Sequence, residues 1–481
     1  MRSPRQRRLL RSLGEGYPAL DILWSYRRRP ATDLNVIKAT RAAMTWRIVT
    51  SPDIVHVYFE YLRWLYHFPP KVLAAVKSYG KETRQRYGRS RPGQAGDILR
   101  IAWVNGLRPR DYYDAALARY GGGSEILKYA PFILIRIAAE RLTVGEDREK
   151  AAYLRNKTTF ERRCRAAGIP VVRTIAIVRE AYIRNPDGAV FEGPLPDRDL
   201  IIKLESGGQG RGTESWRSVS AGQFANAGGD VLSSAELLKR AKSVARTRDD
   251  AMLVQERLEN HPEMRPISGS ALSTTRVVTM INETGVPEIV DAFYRTSIRP
   301  HAAVDNFHSG GVLFPIDIAT GMFLPGMTDA AFDQLPITCH PQTGTPMVDR
   351  LHPRWQEVAE MALRLHHIYS ECVMPGWDIA VAADGAVAIE LNMVGGISIN
   401  RQPKFGGLAG TRLLSLLAFH ANEWLERNEP PTSRWRVGSK ARTICPPRGA
   451  LRSFRRQARP VGLPIRPSSR PRRRDVATIP G

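Results

Sequence analysis

The run Trp377-Asp378-Ile-Ala-Val-Ala-Ala-Asp-Gly-Ala-Val-Ala-Ile-Glu390-Leu-Asn392 constrains the fold more than any other stretch of the chain. Two apolar segments, 379–382 and 386–389, flank Ala383-Asp384-Gly385. That pattern predicts an antiparallel hairpin with a three-residue loop and Gly385 in the left-handed region. Such a loop pairs Asp378 with Glu390, and the two-residue period of a strand then puts Asn392 on the same face. A two-residue loop would break that pairing. Two carboxylates and an amide oxygen are hard donors of the kind that hold Mg2+, which keeps its remaining positions for phosphate oxygens and water. Taken alone, the segment also fits an edge hairpin with solvated charges.

Two upstream lysines give the hairpin a context. Asp199-Leu-Ile-Ile-Lys203 reads as a short buried strand ending in a cation, and Ser206-Gly-Gly-Gln-Gly-Arg-Gly212 follows it. Glycines such as Gly207, Gly208 and Gly210 let backbone N–H groups approach an oxyanion closely, while Lys203 supplies a point charge. The loop has neither the Gly-Lys-Ser/Thr ending of a P-loop nor the Gly-x-Gly-x-x-Gly spacing of a dinucleotide turn.

Taken in order, Asn156-Lys157 opening a helix over 158–167, Ile202-Lys203 before the glycine loop, Met252-Leu-Val-Gln255-Glu256-Arg-Leu258, and the trio Asp378, Glu390 and Asn392 resemble the ATP-grasp superfamily. More narrowly, Glu256-Arg-Leu-Glu-Asn-His261-Pro, Thr275-Arg276-Val-Val-Thr279, Asp305-Asn306-Phe-His308-Ser-Gly-Gly311, Ile316-Asp317 with Thr320-Gly321, and Gly376-Trp377-Asp378 resemble its sugar-transfer-associated family, over about residues 150 to 425. The resemblance implies an α+β ATP-grasp fold in which two antiparallel-sheet subdomains clasp ATP. It implies that Gln255, Glu256 and Leu258 wall the adenine, that Lys157 and Lys203 face the phosphates, and that Asp378, Glu390 and Asn392 hold Mg2+, with Mn2+ as an alternative. Arg276, Arg295, Asn306 and His308 would face the acceptor and the transferred phosphoryl group.

The implied activity is an ATP- and Mg2+-dependent ligase that joins a carboxylate-bearing acceptor to an amine through an acyl phosphate, in polysaccharide or cell-envelope metabolism. A kinase of a sugar or small metabolite, and a nucleotide-sensing polyanion-binding protein, are the alternatives. The chain departs from the family where Leu204-Glu205 stands in place of the usual proline after the strand lysine, which sets an acid near the phosphates.

Upstream the pattern is helical. Val55, Phe59, Leu62 and Leu65-Tyr66 recur at three- and four-residue spacing over 54–68, Pro69-Pro70 is read as a stop followed by a second helix, and further helices are expected over about 95–104 and 110–120. Tyr58, Trp64, Tyr112 and Tyr113 read as core. The expected layout is a basic segment 1–29, a helical domain 30–150, a catalytic domain 151–427 and a disordered basic tail 428–481.

The net charge of +24 sits mostly at the ends: residues 1–29 carry +6 and residues 434–481 carry +13, which leaves +5 for the body. Such termini suit contact with a polyanion through screened attraction. The longest membrane-span candidate, 130–139, is short and contains Arg136, and Gly14-Glu15-Gly16 interrupts the N-terminal apolar stretch, so a cytoplasmic enzyme is expected. Cys164, Cys339, Cys372 and Cys445 lack metal-ligand spacing and read as reduced, buried thiols.

Overall fold

The computed structural model describes residues 32–46, 51–207, 212–268, 271–297, 311–328, 336–395 and 399–428. The basic segment 1–29, the tail from 429 with Cys445, and the expected site residues Gly208, Gly210, Asn306 and His308 lie outside the described residues.

Helices α1 (Asp33–Trp46), α2 (Ser51–Tyr87), α3 (Arg91–Asn105), α4 (Pro109–Asp114), α5 (Phe132–Val144) and α6 (Arg148–Arg155) come first. α2 corrects one expectation, because it runs through Pro69 and Pro70 rather than stopping there. The prolines remove the N–H donors for two carbonyls one turn earlier. Leu65 and Tyr66 at that turn are exposed, so water reaches this side, while Phe68, Val72 and Val76 at four-residue spacing join a core with Ile98, Ile101 and Tyr113. Packing of the buried face outweighs the local break. The helix expected over 110–120 divides, since Ala116 at φ 50 separates α4 from a 3-10 turn, Leu117–Tyr120. Tyr112 and Tyr113 are core residues whose hydroxyls donate to Asp97 (2.9 Å) and Gln94 (3.0 Å).

After helix α7 (Lys157–Ala166), strands β1 (Thr174–Val178), β2 (Ile183–Arg184), β3 (Leu200–Leu204), β4 (Glu214–Ser220), β5 (Gln223–Asn226), β6 (Val231–Ser233) and β7 (Met252–Glu256) form an antiparallel sheet in the order β2-β1-β7-β3-β4-β5-β6. Helix α8 (Ser234–Arg248) begins at a capping box, in which Ser233 and Glu236 each accept the other's backbone N–H. Its stripe Leu237, Ala241 and Ala245 packs with Ala176, Leu200, Ile202, Met252 and Val254. Strand alternation therefore turns Lys203, Leu253 and Gln255 to the opposite face.

A second antiparallel sheet has the order β11-β10-β9-β8-β12-β13, built from β8 (Thr274–Ile281), β9 (Pro287–Ser297), β10 (Gly311–Pro315), β11 (Met327–Thr328), β12 (Gly376–Ala382) and β13 (Gly385–Asn392). One face sends Val277, Ala292, Tyr294, Trp377 and Ile379 into a core with Phe160 and Cys164 of α7 and with Val358, Ala362 and Leu365 of α9 (Trp355–Ile368). The other face is divided. Val278, Met280 and Val290 are covered by α1, α5 and α10 (Arg412–Asn428), whereas Thr274, Arg276, Arg295 and Asp378 make a polar half.

The β12–β13 hairpin reaches the expected register by a different route. Its turn has two residues, Ala383 and Asp384, with Ala382 opposite Gly385 at φ 113. Ile389 is then an extra residue on β13, a bulge that restores Asp378 opposite Glu390 and Gly376 opposite Asn392. The bulge supplies the residue that the three-residue loop was expected to supply. Cys164 and Cys372 are buried as expected, but Cys339 is exposed. Among the described residues, no helix is long and apolar enough to cross a membrane.

Candidate active site

Asn156 caps α7, its side chain accepting from the Thr159 N–H at 2.7 Å, which leaves Lys157 in the first turn. Residues after the helix run beside β13, where Val171 bridges Ala388, so the start of α7 is carried to the Glu390 edge. Lys157 Nζ lies 3.8 Å from Glu390 Oε2 and donates to the carbonyls of Glu205 (3.2 Å) and Gly207. One amine thus ties the second sheet to the turn that follows β3.

Lys203 stands beside this pair. Burial of its amine lowers the pKa from 10.5 to about 8; Glu390 and Asp378 offset part of that shift, and Lys157 adds to it. Among the described residues Lys203 makes no ion pair, and part of its side chain remains accessible. A desolvated cation so placed gains more from an arriving anion than a solvated one would.

Asp378 is arranged in the opposite way. It is 3 % exposed, with Arg276 directly across from it on β8. Arg276 holds Oδ1 through Nε and Oδ2 through Nη2 (2.8 Å), and Arg295 Nη2 lies 2.9 Å from Oδ2. Burial pushes the carboxyl pKa up, but the two guanidinium groups outweigh it and hold the group well below the usual carboxylate range. Asn392 Nδ2 donates to Asp378 Oδ2 at 3.2 Å, and Thr274 Oγ1 accepts from Arg295 at 2.6 Å. A Cβ at Gly376 would meet Arg276 Cδ at 2.9 Å and Gly395 Cα at 2.8 Å, so glycine is what lets the arginine stem cross β12.

The acid that departs from the family pattern is spoken for. Buried Glu205 accepts from Thr158 Oγ1 at 2.5 Å and from Arg179 at 3.0 Å, so its charge is met within the protein. Gln255 lies on the Lys203 face, where its amide donates to Thr174 Oγ1 at 3.0 Å. Glu256 alternates to the other face and pairs with Arg198 at 2.6 Å, which separates its side chain from the group; Leu258 follows the strand, half-buried. The fold therefore gathers Lys157, Lys203, Arg276, Arg295, Asp378, Glu390 and Asn392.

A neighbouring cluster was not anticipated. Asp291 is fully buried between Arg401 and Lys404, and the Arg401 guanidinium stacks 3.5 Å over the Phe293 ring. Burial lowers the Arg401 pKa to about 10, with Asp291 opposing the shift and Arg276 and Arg295 adding to it. Its signal in the sequence is an acid inside the apolar run Val290-Asp291-Ala292-Phe293. Among the described residues no three His, Cys, Asp or Glu side chains gather as a metal cluster; Asp378, Glu390 and Asn392 are the oxygen-bearing side chains here that could hold a hard cation.

Comparison with known proteins identifies the family. The model of the sugar-transfer associated ATP-grasp family matches residues 142–410. A comparison with curated proteins gave no match. Among solved structures, the chain is similar to the biotin carboxylase domain of 2-oxoglutarate carboxylase from Hydrogenobacter thermophilus, solved with MgADP, ADP and bicarbonate (11 % identity, 60 % of this chain and 51 % of that one, TM-score 0.33). It is also similar to D-alanyl-alanine synthetase A from Vibrio cholerae (12 %, 58 % and 66 %, 0.31) and to an L-amino acid ligase from Bacillus licheniformis (10 %, 66 % and 59 %, 0.28). The chain spans about half to two thirds of the length of these structures. Identities and scores this low leave the family match as the finding that decides: covering more than half of the 481 residues, it shows that the chain belongs to the sugar-transfer associated ATP-grasp family.

Proposed function

We propose that the chain is an ATP-dependent ligase that activates a carboxylate as an acyl phosphate and passes the acyl group to an amine. The observation that carries this reading is the pairing of a desolvated lysine, only partly compensated by Glu390 and Asp378, with a carboxylate–amide trio where the two sheets meet. Lys157 and Lys203 neutralise the polyphosphate, Lys157 by exchanging the Gly207 and Glu205 carbonyls for phosphate oxygens. Positioning and charge compensation of this kind are most of what phosphoryl transfer demands.

The hard oxygens of Asp378, Glu390 and Asn392 fit Mg2+ or Mn2+, with the Asn392 amide turned to present its oxygen. A cation there would add charge neutralisation at the terminal phosphates. Arg276 and Arg295, which grip Asp378 in the protein alone, transfer their planar forks to phosphate and to the acceptor carboxylate. An acceptor carboxylate oxygen then bonds to the γ-phosphorus as ADP leaves. The amine attacks the carbonyl carbon, inorganic phosphate departs, and the amine gives up a proton. The family's association with sugar transfer supports a setting in polysaccharide or cell-envelope metabolism.

The test is ATP turnover against pools of amino acids, sugar acids and amines, reading ADP and phosphate separately and trapping acyl phosphate with hydroxylamine. The expected result is ADP release that needs a carboxylate, hydroxamate in the trap, and phosphate release with amide formation. ADP release with a phosphorylated hydroxyl product and no free phosphate would establish a kinase instead.

A further inference from the structure

The proposed chemistry leaves the outer surface of α2 unused. While Phe68, Val72 and Val76 of this helix face the core, Phe59, Leu62, Tyr66 and Leu73 are 60, 62, 78 and 67 % exposed. Their steps of three, four and seven residues trace one stripe along a helix of 3.6 residues per turn, and Pro69 and Pro70, also exposed, lie within it. Continued toward the C-terminus, the same line meets Lys77, Lys81 and Arg84, all exposed. α2 carries six basic and three acidic residues, a net +3, and five of the six basic residues lie in its C-terminal half, 71–87.

An outward helix face is ordinarily polar, and contiguous aliphatic and aromatic side chains in water call for an occupant. Charge selects among the candidates. Nucleic acid would use the cations but has no need of leucines beside them. A second copy would bring the same positive charge against itself. An anionic bilayer takes both halves of the pattern, with aliphatic and aromatic groups at the acyl boundary and lysine and arginine at the headgroups. We propose that the outer face of α2 docks on an anionic lipid surface, as a peripheral attachment that lies in the interface. This inference stands apart from the ligase reading.

Co-sedimentation of the full chain with vesicles of phosphatidylcholine alone, and with about one third phosphatidylglycerol added, tests it at low and high salt. The wild type is expected to bind the anionic vesicles only, with a share of binding that survives high salt. Leu62→Gln, Tyr66→Ser and Leu73→Gln combined keep every charge, including those of both basic ends, and should reduce that salt-resistant binding on the order of tenfold. Lys77→Gln, Lys81→Gln and Arg84→Gln combined should weaken binding at low salt. All six side chains are exposed, so melting temperatures should stay near the wild type. Failure of the wild type to bind anionic vesicles overturns the proposal. So does an apolar triple variant that binds like the wild type, a concentration-dependent dimer that the triple variant loses without any vesicle binding, or an equal loss of affinity for single-stranded RNA.

Discussion

Lys203 and Asp378 meet one physical problem from the two sheets and solve it differently. Each carries a charge out of water. Asp378 is gripped by Arg276 and Arg295 and stays ionised far below the ordinary carboxylate range, whereas Lys203 has no ion pair among the described residues and its pKa falls to about 8. A buried charge with partners belongs to the stability of the fold; one without a partner destabilises the protein alone and is compensated only when an anion arrives. The first sheet thus offers an unfilled electrostatic demand, and the second offers groups that must change partner before they act on a ligand.

Glu390 belongs to neither class, since it is partly open and sits 3.8 Å from Lys157. Glu390→Gln should therefore leave the melting temperature almost unchanged while lowering turnover on the order of a thousandfold, the scale on which removal of one preorganised charged group acts. Steady-state ADP release, alongside thermal melting, checks this. Loss of stability without a comparable loss of turnover would put Glu390 in the fold and not the site.

The next effect is on stability and separates the two charges directly. Asp378→Asn leaves Arg276 and Arg295 facing each other without a counter-charge and should cost about 3–5 kcal/mol in urea unfolding. Lys203→Met, removing a desolvated cation that Glu390 and Asp378 offset only in part, should be neutral or stabilising. If both substitutions cost the same, the contrast between the sheets is false.

Acid should weaken the second sheet's core. Burial pushes His352, beside Thr275, and His366, beside the Cys372 carbonyl, down from 6.5 to about 4. Because these folded-state values lie below the unfolded one, the unfolded chain takes up protons first. Their contribution is complete above about pH 6.5 and is lost as pH falls toward 4, by up to about 1.4 kcal/mol per pH unit for each ring. Unfolding free energies from pH 7 to pH 4.5 measure that slope, and His352→Asn should flatten it.

The smallest expected effect is none at all. A chain shortened before Arg434 keeps every site residue gathered here and should retain the wild-type rate of ATP turnover, while its low-salt affinity for polyanions such as heparin falls. Lost catalysis in a folded shortened chain would show that the tail reaches the site.

Much of this arrangement was legible because strand alternation is a strong constraint. The face that Glu390 shares with Asn392 follows from the two-residue period, and the Asp378–Glu390 pairing was expected from a three-residue loop, whereas the structure reaches it through a tight turn and a bulge at Ile389. Turn length and bulge position trade off invisibly in a sequence, since both add one residue. The continuity of α2 through Pro69-Pro70 was illegible for a different reason: the local cost is visible in the residues, but the burial of Phe68, Val72 and Val76 that offsets it is tertiary. The grip of Arg276 and Arg295 on Asp378 depends on β12 pairing with the β8–β9 hairpin, which lies far upstream in the chain, and no local pattern announces it. The local sequence sets Glu205 beside the phosphates, and only the tertiary contacts of Arg179 and Thr158 meet its charge.

The central claim is that Lys203, without an ion pair among the described residues, is held for the phosphates of ATP, and calorimetric titration of MgATP into wild type and Lys203→Met from pH 7 to pH 9 tests it most directly. A cation with a pKa of about 8 binds phosphate in its protonated form, so wild-type affinity should fall as pH rises through about 8. Lys203→Met should bind about ten- to a hundredfold more weakly at pH 7, the value of one charge-assisted contact, and should lose this pH dependence. Equal affinity of the two proteins, with the same profile across this range, would contradict the account.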